Sequence, residues 1–259
     1  MARRGSSVAA RAGLVGLFVL VGAAALAFRT PPAAAEGDRL QEVRVCGLGP
    51  FDRRTSVCTR DQSGSALLSS VFHCSARARA EPGERFAGRM LYRGQPFQAF
   101  GTAVGERRRG VYLYLTAGPY PMPGGPWSCE LRVGSEIVRK SFRSAGPAGP
   151  IVHVRACRTS RTAAAGPTRV CARDESAAGF RSTDSITCSA VFVGGKGKLA
   201  GIAFEHEGTS AFDGDFELPL PVTAAGPRLD PDPKLASGDW SCRWSLAGRV
   251  LAVKRFQVG

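Results

Sequence analysis

The chemistry most open to this chain is sulfur oxidation, because its eight cysteines fall into two frames of matching spacing. The first is Cys46, Cys58, Cys74 and Cys129, with gaps of 12, 16 and 55 residues; the second is Cys157, Cys171, Cys188 and Cys242, with gaps of 14, 17 and 54. No cysteine is left over. Zinc is the competing chemistry, but it takes thiolates in close C-x2-C pairs so that neighbouring ligands reach one tetrahedral centre, and this chain has no such pair. An even count at repeated positions reads instead as disulfides made in an oxidising compartment.

Other reactive side chains form weaker patterns. His73, His153 and His206 are scattered. Glu205-His206-Glu207 has the composition of a ligand cluster, yet the two-residue period of a strand puts the glutamates on one face and the imidazole on the other. Asp213-Gly214-Asp215 and Asp230-Pro231-Asp232 offer oxygens of the kind calcium takes, without the twelve-residue loop pattern; turn chemistry accounts for them equally well. There is no G-x-S-x-G elbow and no H-E-x-x-H, and Gly194-Gly195-Lys196-Gly197-Lys198 lacks the spacing of a phosphate loop and reads as a turn. The expectation is a non-catalytic protein with no metal and no cofactor.

Charge supplies the remaining candidate. The formal net charge is +14, and residues 41–150 carry +8 of it against +3 for residues 151–259. Arg107, Arg108 and Arg109 stand between strand-like runs, and Arg77, Arg79, Arg85, Arg89 and Arg93 lie on or near strands of the same half. Read functionally, they offer a surface for a polyanion: a phosphate-rich envelope glycan, an acidic polysaccharide or nucleic acid. Read blandly, they are a solvated hairpin tip and ordinary outward charges. Arginine outnumbers lysine 30 to 5, which with the abundant alanine and glycine also fits high-GC coding. Aromatics do not interleave with the arginines as a single-strand stacking platform requires, so no specific nucleic acid is implied.

The elements that must position these groups are strands. Trp127-Ser128-Cys129 recurs as Trp240-Ser241-Cys242, and Cys74-Ser75-Ala76 as Cys188-Ser189-Ala190, each inside its cysteine frame, so the chain is a tandem duplication. Alternation along Phe72, Cys74, Ala76 and Ala78 marks a half-buried strand with His73, Ser75, Arg77 and Arg79 outward. The same period turns Trp127, Cys129, Leu131 and Val133 inward, and Ser128, Glu130 and Arg132 outward. Four cysteines allow three pairings per repeat. Two inward cysteines about 55 residues apart meet across a sandwich, which pairs Cys74 with Cys129 and Cys188 with Cys242 and leaves Cys46–Cys58 and Cys157–Cys171.

Further strand runs are Val43 to Cys46, Leu67 to Ala76, Phe86 to Tyr92, Val111 to Leu115 and Ile137 to Phe142. The second copy repeats the plan with Ile186 to Val193, Ala200 to His206, Phe216 to Leu220, Trp240 to Leu246 and Val250 to Val258. Gly134-Ser135 suits a type II′ hairpin turn, with Ala247-Gly248 in the same place. Lys254 falls on the side of Ala252 and Phe256, which an edge strand tolerates. Ser144 to Pro150 is a short linker with no side chains to bury.

A strand cysteine, a second about 55 residues on and an aromatic two residues before it resemble the immunoglobulin-type sandwich, with Trp127 and Trp240 in the place of the corner tyrosine. The resemblance covers about residues 41–259 and implies no catalytic residue. In two respects the chain departs from it: no tryptophan follows Cys74 or Cys188 on the next strand, and an amino-terminal bridge is added. The expected fold class is therefore all-β: two tandem immunoglobulin-like antiparallel β-sandwich domains, at 41–144 and 151–259.

Residues 1–35 read as a signal peptide or signal anchor, with Arg3, Arg4 and Arg11 before an apolar run over 12–28 and small residues at Ala33-Ala34-Ala35. Contact with a membrane is expected only if that run is retained as an anchor. The expected function is an exported binding or adhesion module, secreted, periplasmic or at the cell surface, whose partner is an envelope or extracellular polyanion or protein. A structural spacer is one alternative; a secreted hydrolase or inhibitor whose residues meet only in three dimensions is another.

Overall fold

Runs of alternating apolar and polar residues become strands wherever a second strand can satisfy their amides. The computed structural model describes residues 39–80, 83–103, 110–116 and 118–259; the amino-terminal segment read as a leader lies outside them, as do Arg107, Arg108 and Arg109. The first half holds β1 (Leu40–Cys46), β2 (Phe51–Asp52), β3 (Val57–Cys58), β4 (Ala66–Leu67), β5 (Val71–Ala78), β6 (Arg85–Tyr92), β7 (Gln95–Ala103), β8 (Gly110–Thr116), β9 (Gly125–Val133) and β10 (Glu136–Ser144). The second holds β11 (Ile151–Arg158), β12 (Thr162–Ala165), β13 (Thr168–Cys171), β14 (Ile186–Val193), β15 (Leu199–His206), β16 (Thr209–Glu217), β17 (Val222–Ala225), β18 (Arg228–Leu229), β19 (Gly238–Leu246) and β20 (Arg249–Val258).

The fold is an all-β sandwich arrangement. In the first half a sheet of order β1-β5-β8 faces one of order β4-β10-β9-β6-β7. In the second half β11-β14-β17, with β18 also on β14, faces β16-β15-β19-β20. Leaving out the two-residue β4, the duplication in sequence is a duplication in strand order. Cys74 on β5 bonds Cys129 on β9, and Cys188 on β14 bonds Cys242 on β19, each pair joining the two layers with Cα atoms 6.3 and 6.5 Å apart. The remaining pairs are Cys46–Cys58 and Cys157–Cys171. Trp127 and Trp240 are both buried, and each indole N–H donates to a carbonyl four residues upstream: Trp127 to Pro123 at 3.1 Å and Trp240 to Ala236 at 2.8 Å.

The central strands β5 and β14 depart from the half-buried expectation. Ser75 and Ser189 point outward yet are fully buried, because the chain from each short disulfide folds over the outer face. The Cys58 amide donates to Ser75 Oγ at 2.7 Å, and the Cys171 amide donates to Ser189 Oγ at 3.0 Å. Arg44 donates to the carbonyls of Cys58 and Thr59, as Arg155 does to those of Cys171 and Ala172. The flap thus satisfies its backbone on the strands that it covers, which is what permits its burial.

Several strand boundaries are corrected. The run Leu67 to Ala76 breaks in two: Ala66-Leu67 pairs with β10 in parallel, and only from Val71 does the chain pair with β1 and β8. Phe216 to Leu220 is mostly past its strand, since β16 starts at Thr209 and hairpins onto β15 through Glu207-Gly208. That turn and its counterpart Arg93-Gly94 have positive φ at both residues, as does Ala247-Gly248, the signature of type I′; at Gly134-Ser135 only the glycine is positive, as type II′ requires. The edge placement of Lys254 holds, since β20 is an outer strand. Its ammonium reaches Asp174 in the loop after β13, and Lys140 meets Asp61 in the loop after β3 at 2.9 Å, in the equivalent place.

The linker is more than a spacer. Gly146 lies so close to the Met122 carbonyl that an added Cβ would sit 1.7 Å from its oxygen, and the Gly124 amide donates to Pro147 O at 2.8 Å. Val191 and Val193, on the outer face of β14, are buried in the same apolar cluster as Tyr120 and Met122 of the first half. Outward valines of the second half thereby become shared core.

Candidate functional site

The five-stranded sheet of the first half turns one face to the core and the other outward. Inward are Phe86, Met90 and Tyr92 of β6, Trp127, Cys129 and Leu131 of β9, and Val138 and Phe142 of β10. The alternate residues must then point outward: Arg85 and Arg89 on β6, Arg132 on β9, and Arg139 and Arg143 on β10. Register sets Arg89, Glu130 and Arg139 side by side across three strands. Glu130 points outward as its period predicts, yet it is only 4% exposed, because Arg89 and Arg139 both bond its carboxylate. Five arginines thus share one sheet face with one glutamate, and β7 contributes only small groups beside them, Ala99 and Gly101.

At one end of this face, Arg93 in the β6–β7 turn and Arg143 on β10 flank a cleft of about 410 Å³ that also presents Ser63, Ser128 and Ser141. Arg93 stands over the Tyr92 ring at 5.2 Å. None of the ion pairs among the described residues involves Arg85, Arg93 or Arg143. Two guanidinium forks and three hydroxyls form a donor-rich notch, the chemistry that sulfate, phosphate or carboxylate groups require. Sequence reasoning named Arg85, Arg89 and Arg93 but missed Arg139 and Arg143; the alternation along Ile137, Arg139, Ser141 and Arg143 was the available signal. Of the other arginines, Arg77 pairs with Glu42 on the opposite sheet.

A larger cleft, about 760 Å³, opens between the chain after β1 and the stretch from Gln62 to Ser70. Tyr120, Gln62 and serines supply its polar groups, and exposed Leu48 and Leu68 line it; it contains no histidine, carboxylate or basic side chain.

The histidines sit apart. His73 stacks on Phe51 at 3.8 Å beneath the first flap, and burial, aided by Arg53, lowers its pKa to about 4. His153 stacks on Tyr120 and its Nε2 lies 3.2 Å from the Pro121 carbonyl; burial and Arg155 hold its pKa below the ordinary value. His206 faces inward against Trp240, while Glu205 points outward to Arg243 at 2.9 Å. Asp213 and Asp215 lie within β16, which overturns the turn reading for that pair. Burial raises Asp61 and Asp174, but hydrogen bonds from backbone amides and from Lys140 and Lys254 outweigh it and leave both pKa values lowered.

No known protein family matches the chain, and no curated protein matches it. Among solved structures it is similar to one titled "Biofilm associated protein - BSP domain", at 10% identity and a TM-score of 0.24, over 73% of this chain and 27% of that one. It is also similar to a glycosyl hydrolase family 2 member from Bacteroides cellulosilyticus, at 10% identity and a TM-score of 0.28, over 73% of this chain and 23% of that one. The chain spans about a quarter of the length of each.

Proposed function

We propose that this protein is a non-catalytic binding module exported from the cytoplasm, and that it engages an anionic polymer through the arginine face of its first half. The observation that carries the reading is the convergence of Arg85, Arg89, Arg132, Arg139 and Arg143 on one sheet face, ending in the Arg93–Arg143 notch. Arg107, Arg108 and Arg109, which follow β7 in the chain, add three further positive charges to the first half. Four disulfides among the described residues suit an oxidising compartment, and the proposed location is the periplasm, the cell surface or the medium.

We read each half as an immunoglobulin-like sandwich. In support, the order β1-β5-β8 against β10-β9-β6-β7 corresponds to strands A-B-E against G-F-C-C′, and the interlayer disulfide joins B to F. The indole hydrogen bond to an upstream carbonyl takes the part of the corner tyrosine hydroxyl.

The test is retention on immobilised heparin and polyphosphate as salt is raised, for the exported protein and for two triple variants. One changes Arg85, Arg93 and Arg143 to Ala; the other changes Arg107, Arg108 and Arg109 to Ala. Loss of retention in the first supports the reading, and unchanged retention in both overturns it.

A further inference from the structure

The sheet β16-β15-β19-β20 is the second-half equivalent of the arginine face, and its outer surface carries the opposite charge. With Met90 opposite Cys129 and Phe204 opposite Cys242, strand register matches the positions of the two sheets, apart from a bulge after Trp244 that the first sheet lacks. Arg85 and Arg89 correspond to Leu199 and Ala203, and Arg139 and Arg143 to Val253 and Gln257. Ala99 and Gly101 of β7 correspond to Asp213 and Asp215 of β16. Even the turns reverse sign, since Arg93-Gly94 corresponds to Glu207-Gly208, with positive φ at both residues in each. The outward residues of the second face thus include Glu205, Asp213, Asp215, Glu217 and Asp239 against Arg243 and Arg255. Asp213, Asp215 and Glu217 are exposed, and so are Leu199 and Val253 among them.

We infer that the acidic face of one copy docks on the basic face of another, giving head-to-tail association of this protein with itself. Both faces come from sheets of one strand order, so their twists agree and they can stack with strands nearly aligned. Because the two faces differ, the contact is heterologous and every assembly keeps one face of each sign open at its ends, so association propagates. Four strands about 4.8 Å apart and about seven residues long present roughly 450 Å² per copy. That is below the roughly 800 Å² per partner of stable complexes, so the contact is weak and governed by salt. A net charge of +14 opposes it, but screening over about 8 Å lets facing patches outweigh distant charge. The inference shares the basic face with the polymer-binding reading and does not rest on it.

Sedimentation velocity on the exported protein tests it, at about 100 µM and in about 50 mM or about 500 mM NaCl. Expected is a shift to larger species at low salt that vanishes at high salt. Changing Arg85, Arg93 and Arg143 to Glu leaves two acidic faces, and changing Asp213, Asp215 and Glu217 to Lys leaves two basic ones; each variant alone is expected to be monomeric. Mixed, they should co-assemble, which neither misfolding nor general charge repulsion would produce. Monomer at both salts, or a mixture that stays monomeric, overturns the inference. Heparin retention separates the two ideas: the lysine variant keeps it while losing self-association. Wild type that binds heparin but never associates removes this inference alone; wild type that associates but ignores heparin removes the polymer reading alone.

Discussion

His73 and Thr187 hold equivalent places on β5 and β14, one residue before each interlayer cysteine, and both are buried under their flaps. A neutral imidazole is tolerated there and an imidazolium is not. With the folded pKa near 4 and the unfolded value near 6.5, the unfolded chain takes up the proton first as pH falls. Stability is therefore full above about pH 6.5 and declines until about pH 4, a loss on the order of 2–3 kcal/mol from this one group. His153 is lowered too and acts in the same direction. His73→Thr should flatten most of this slope, measured as urea midpoints across that range; an unchanged slope would place the titration elsewhere. At the same scale, Cys74→Ala with Cys129→Ala opens a 55-residue loop and should cost up to about 4 kcal/mol by loop-closure entropy, read from denaturant unfolding of the oxidised proteins.

Among the elements, the flaps and the linker do what the strand pattern alone does not. Each flap turns a strand that would have one wet face into one buried on both, and the outward serine is the device that makes this affordable to the backbone. Ser75→Ala leaves the buried Cys58 amide without its acceptor and should cost about 1–2 kcal/mol; Ser189→Ala should cost a similar amount at Cys171. The linker depends on Gly146 for another reason, the absence of a Cβ against the Met122 carbonyl. Gly146→Ala must push two backbone segments apart and should cost about 1–3 kcal/mol. Because Met122 and Val193 share one cluster, faster amide exchange should appear on both sides of the linker; exchange confined to 144–150 would mean that the halves are not coupled there.

For the whole molecule the governing quantity is where the charge lies. A net +14 says little by itself; five arginines on one sheet face say more. If each guanidinium displaces about one counterion from a polymer, removing Arg85, Arg93 and Arg143 should reduce the slope of log affinity against log salt by roughly 2–3. The measurement is binding of a fluorescent heparin fragment between about 50 and 300 mM NaCl. A parallel downward shift with the slope preserved would show that the three arginines are not the ones in contact.

Sequence alone determined the duplication, the all-β class and the disulfide pairs, because each is written in spacing or in a two-residue period. The alternation around Cys74 and Cys129 suffices to place both between two layers. It could not show that Ser75 and Glu130, polar and outward by period, are buried, since that depends on a flap arriving from seventeen residues away and on arginines of two neighbouring strands. The run Arg107 to Arg109 was conspicuous because its charges are adjacent in the chain, while Arg85, Arg139 and Arg143 are far apart in it and adjacent only across the sheet. Strand pairing is the step that turns separated residues into a surface, and register is set by contacts between distant segments; that is why tertiary structure, and not local pattern, decided where the candidate site lies.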